Sequence, residues 1–104
     1  MRIAGFIALT AVIGYAGVAH AAAGNAEAGR QLVMRSCSSC HAIESSKSVT
    51  DNAPPFSDVA KANRERPAWI RGWLMSPHPP MPNISLSRQQ IDDIIAYLGT
   101  LPTN

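Results

Sequence analysis

Residues 37–41 read Cys37-Ser38-Ser39-Cys40-His41, and they hold both cysteines of the 104-residue chain. Three chemistries use cysteines at this spacing. A thioredoxin-like redox pair sits in a βαβ setting, and no strand run is legible around the motif. A structural zinc site needs four ligands. This segment offers three crowded ones, and the next histidine, His78, stands among prolines. The third chemistry is covalent attachment of a c-type haem, the standard meaning of C-x-x-C-H. Two thiols three positions apart on a helical turn can reach two vinyl groups on one edge of a porphyrin, while the adjacent imidazole points at the iron. Thioether bonds would then hold the haem to a chain too small to hold it by burial alone.

Upstream of the motif the chain divides in two. Residues 1–21 contain 15 hydrophobic residues, whereas the remaining 83 contain 33, about 40%. Met1-Arg2 is a positive n-region, Ile3 to Val18 is apolar, and Ala19-His20-Ala21 is an A-x-A site. This layout predicts a secretory signal peptide over residues 1–21, cut after Ala21 or alternatively Ala23, and a domain over 22–104. A domain that small and only moderately apolar often needs a staple, a metal or a large cofactor. It excludes a large enzyme with a deep substrate domain of its own. With Arg2 set aside, 8 basic residues face 7 acidic ones. That balance argues against a strongly basic nucleic-acid binder.

Downstream and upstream, the signals are helical. Asn25 is a good N-cap for a helix from about Ala26 to Ser36, with Gly29 inside it and Ala28, Leu32 and Val33 as its apolar residues. Residues 42–53 read as a polar surface loop closed by Pro54-Pro55-Phe56. A short helix is predicted from about Ser57 to Asn63, with Val59 and Ala60 inward. Pro67 opens another, whose inward residues would be Trp69, Ile70, Trp73 and Leu74. One indole N–H, that of Trp69 by preference, could bond a haem propionate. Pro77-His78-Pro79-Pro80-Met81-Pro82 can only be a stiff, extended loop. Ser87 and Gln90 form a capping box, with Leu86 and Ile91 placed for a hydrophobic staple. Ile91, Ile94, Ile95 and Leu98 follow the i, i+3, i+4, i+7 spacing of a helix that ends at Gly99 and Pro102. Asp92 and Asp93, near its start, read as a solvated face.

The attachment motif and this pattern of helices resemble a monohaem class I cytochrome c of the small bacterial type, over roughly residues 24–102. The resemblance implies an all-α fold, with three to five short helices packed around one covalently attached haem c. In that family a glycine eight residues before the first haem cysteine meets an aromatic of the last helix; Gly29 and Tyr97 match those positions. A proline carbonyl bonds the free ring nitrogen of the haem histidine; Pro54 is the better match and Pro55 the alternative. Such a contact fixes the tautomer and orientation of the imidazole. The family often has an aromatic four residues before the first cysteine. Val33 stands there in this chain.

His41 offers one axial ligand, and Met34, Met75, Met81 and His78 are candidates for the other face. Met34 shares the helix of the motif and cannot readily cross the porphyrin. Met75, near the end of the tryptophan helix, reads as a core methionine. The family carries its distal methionine in a loop before the last helix, commonly followed by proline, as Met81-Pro82 is here. The resemblance therefore implies Met81, with His78 second; Met/His ligation gives the higher potential.

With both axial positions filled by protein, the iron has no open position for substrate but can exchange one electron. No catalytic constellation is legible, and no enzymatic activity is expected. The expectation is a periplasmic electron-transfer protein, soluble and monomeric once exported. It would pass electrons between redox proteins, such as a dehydrogenase or oxidase, and bind no nucleic acid. The alternative is a haem-bearing subunit of a periplasmic dehydrogenase complex. Two propionates would bring a polypeptide of about +1 to near neutrality. The only lysines are Lys47 and Lys61. Docking through an apolar patch around the haem edge, with weak salt dependence, is therefore expected.

Overall fold

The computed structural model describes residues 24–102, apart from residues 46, 48, 51 and 77. The leader over residues 1–21 and the cut after Ala21 or Ala23 lie outside the described residues. Four helices follow in order: α1 (Ala26–Ser36), α2 (Phe56–Asn63), α3 (Pro67–Met75) and α4 (Arg88–Leu98). Among the described residues there is no strand, only isolated bridges at Thr50–Ala53 and His78–Met81. The described fold is all-α, with four short helices, within the three to five expected. None of these helices is long and apolar enough to cross a membrane.

Each helix starts where its sequence supplies a device for starting. The Asn25 side chain accepts from the Ala28 N–H at 2.9 Å and satisfies one of the free donors of α1. α2 begins one residue earlier than predicted, at Phe56, because the Pro55 carbonyl already accepts from the Asp58 and Val59 N–H groups. Pro67 opens α3, where its missing N–H has no cost. Ser87 and Gln90 close the capping box of α4 in both directions, at 3.2 and 2.8 Å.

α1 packs chiefly on α4, and glycine makes the approach possible. A Cβ at Gly29 would overlap the backbone of Asp93 and meet the Tyr97 Cβ at 3.0 Å. Gly24, just before α1, lies equally tight against the backbone of Asp92 and Asp93. This approach corrects the expectation of a solvated Asp92-Asp93 face. Asp93 is buried and accepts from the Asn25 N–H at 2.7 Å and from Gln89 Nε2 at 2.9 Å. Asp92 pairs with Arg71 of α3. The physical reason is helical register: Asp93 sits one turn before Tyr97, on the face of α4 that meets α1.

Val33, Phe56, Ala60, Ile70, Ile94, Tyr97 and Leu98 form the core, with Ile91 fully buried on α4. Ala28 is exposed. The loop after the motif is anchored at both ends: Ala42, Ile43 and Ala53 are buried, and the Ala42 carbonyl accepts from the Phe56 N–H at 2.9 Å. The four predicted inward residues of α3, Trp69, Ile70, Trp73 and Leu74, all border one space; Ile70 is buried, Leu74 partly so, and the two indoles stack on each other at 5.1 Å. One expectation for α3 is corrected: Met75 is exposed rather than core, because it lies off that face.

Candidate functional site

The cysteine motif caps the end of α1. Cys37 N–H still bonds the Val33 carbonyl at 2.9 Å, and the Cys37 carbonyl accepts from Cys40 and His41 at 3.2 and 2.9 Å. The chain therefore winds through one tight turn, which gathers both thiols and the imidazole. Cys37 is buried and Cys40 exposed. Burial pushes the Cys37 thiol up to about 11, so it holds its proton at neutral pH.

His41 is oriented by two neighbours. Its Nδ1 lies 2.7 Å from the Pro54 carbonyl. A carbonyl can only accept, so Nδ1 carries a proton, and in the neutral ring Nε2 is the nitrogen with the lone pair. Phe56 stands edge-on to the ring at 5.2 Å. Its place in the site was missed from sequence, although an aromatic directly after two prolines could have signalled it.

These side chains border a cavity of about 650 Å³. Its size falls within the range of about 300–1,000 Å³ common for cofactor sites. Cys37, Cys40, His41 and Pro54 line one part of it. Trp69, Trp73, His78 and Met81 also line it, and Ile70, Leu74, Ile94 and Leu98 add aliphatic wall. The stripe of α4 read as core thus faces the cavity with two of its members. Met34 and Met75 are exposed and do not line the cavity. The Trp69 indole makes no hydrogen bond within the described protein; it stacks on Trp73 and lies under the Arg66 guanidinium at 5.5 Å.

The residues fit a covalently held haem. Two thiols, an unprotonated imidazole nitrogen and a thioether border one largely apolar space. Among the described residues no group of three or more His, Cys, Asp or Glu could hold a bare metal ion, which leaves the zinc reading without support.

Comparisons with known proteins agree. Cytochrome c-552 of Bradyrhizobium diazoefficiens is 37% identical over 82 residues, covering 78% of this chain and 79% of that protein. No solved structure matches the chain significantly. Residues 26–102 match the family model described as Cytochrome c. The chain thus belongs to the cytochrome c family, as a small monohaem class I member that carries one covalently bound haem c and transfers electrons.

Proposed function

We propose that the chain is an exported single-electron carrier, attached to its haem through Cys37 and Cys40 and ligating the iron with His41 and Met81. The observation that carries this reading is the single cavity bordered by all four side chains. Cys37 and Cys40 would hold the haem through thioether bonds, each thiol hydrogen going to the carbon beside the new carbon–sulfur bond, so that no electron or free proton would be released. When bound, the haem iron supplies a one-electron couple. Pro54 holds His41 in the tautomer that donates through Nε2. The Pro79-Pro80 segment stiffens the loop that carries Met81, and the aliphatic wall excludes water. Trp69 borders the same space, and its indole N–H is the donor assigned to a propionate.

Residues 1–21 act as a signal peptide and the carrier works in the periplasm as a monomer. Donor and acceptor are redox proteins that meet a largely apolar rim. Mass and visible spectrum of the periplasmic protein test the reading together. The expected result is the mass of residues 22–104 plus one haem, with a methionine-to-iron charge-transfer band in the oxidised form. A mature chain without haem overturns it. A stable complex with a catalytic subunit on gentle purification would favour the subunit reading instead.

A further inference from the structure

Two candidate iron donors, His78 and Met81, border the same cavity, and the structure sets them against each other. The turn between them is closed by the Met81 N–H on the His78 carbonyl at 3.1 Å. It brings His78 Nε2 to 3.2 Å from Met81 Sδ. His78 Nδ1 lies 2.8 Å from the Ser76 carbonyl. That carbonyl only accepts, so in the neutral ring Nδ1 carries the proton and Nε2 has a bare lone pair. A thioether sulfur has no proton to give. Two acceptors therefore face each other, and a cation that takes one of them resolves the conflict.

His78 is also prepared as a ligand in the way His41 is. Each ring has its Nδ1 tied to a backbone carbonyl, at 2.7 Å for His41 and 2.8 Å for His78. That device fixes the tautomer and makes Nε2 the donor. Trp73 packs against the His78 ring at 3.9 Å between centroids, which limits its rotation. A loop histidine with no binding role needs neither restraint.

We propose that His78 is a reserve sixth ligand, which takes the iron through Nε2 when the Met81 sulfur is lost. The inference rests on the reading of Met81 as the resident ligand. In the exchange an iron–sulfur bond breaks and an iron–nitrogen bond forms. No electron moves, and in the neutral ring the proton stays on Nδ1 against the Ser76 carbonyl. Imidazole is a harder donor than thioether, so the exchange favours the oxidised iron and lowers the potential.

The test is the spectrum of purified holoprotein in both oxidation states, with far-ultraviolet circular dichroism to confirm folding. Met81→Ala is expected to lose the methionine band but remain six-coordinate and low-spin, with a lower potential. Met81→Ala/His78→Ala is expected to become high-spin. A Met81→Ala protein that is already high-spin overturns the inference, and so does a double variant that stays low-spin. If Met81→Ala does not accumulate, chemical oxidation of the Met81 thioether in the intact protein poses the same question with the same two outcomes. The wild-type spectrum separates the two readings. Loss of the inference alone leaves the methionine band in place, whereas a wild type already of bis-imidazole type overturns both.

Discussion

The backbone of Gly29 lies so close to that of Asp93 that a side chain at residue 29 has nowhere to go. Helix propensity alone would favour alanine there by about 1 kcal/mol. The obstacle is main chain, which cannot swing aside, and overpacking of this kind costs about 1–3 kcal/mol or more. The clash wins. Gly29→Ala is expected to lower the melting temperature by roughly 5–15 °C, using about 4–8 °C per kcal/mol for a domain of this size. Gly72 is the control: it lies in α3 with nothing within 4 Å of a built Cβ, so Gly72→Ala should raise it slightly. Thermal unfolding of the two holoproteins checks both.

Asp93 ties the start of α1 to α4 through the Asn25 N–H. Asp93→Ala leaves that donor and Gln89 without their partner and should cost about 2 kcal/mol. Asp93→Asn keeps an acceptor oxygen and should cost less than half as much. The shift in denaturant midpoint at constant slope measures both.

The Pro54 carbonyl restrains the His41 ring. In Pro54→Gly the carbonyl remains but its loop is freed. The His41 Nδ1 proton should then exchange with solvent roughly fivefold to tenfold faster, the equivalent of about 1 kcal/mol of hydrogen bond. Nuclear magnetic resonance of the reduced protein reads the exchange. An unchanged rate would show that the loop is held elsewhere.

Burial pushes the Tyr97 phenol above its ordinary value of 10.0, and the Glu44 carboxylate adds to the effect. The folded protein keeps this proton at a pH where the unfolded chain has lost it. The corresponding stability is therefore complete below pH 10 and is lost as pH rises through the folded value. Tyr97→Phe should flatten the alkaline side of the stability profile and leave the neutral region little changed in slope. Denaturation from pH 7 to 11 tests the sign.

Docking through an apolar rim predicts weak dependence on salt. Between roughly 0.01 M and 0.15 M ionic strength the Debye length falls from about 30 to 8 Å. The bimolecular rate with a redox partner should fall less than tenfold over that range. A drop of several orders of magnitude would indicate charge steering.

The motif Cys37-Ser38-Ser39-Cys40-His41, the caps at Asn25 and Ser87, and the aliphatic spacing of residues 91–98 are local signals. Each acts within one or two turns of chain, so the sequence alone determined the cofactor class, the all-α fold and the limits of α1 and α4. The fate of Asp93 and Met75 was not legible. Whether a helical residue is buried depends on which neighbour crosses its face, and that is set by contacts between distant segments. Only the tertiary structure decided that Asp93 is a clamp, that half of the α4 stripe borders a cavity, and that His78 and Met81 face each other. Such juxtapositions arise when the chain closes on itself, where spacing along the sequence no longer measures distance.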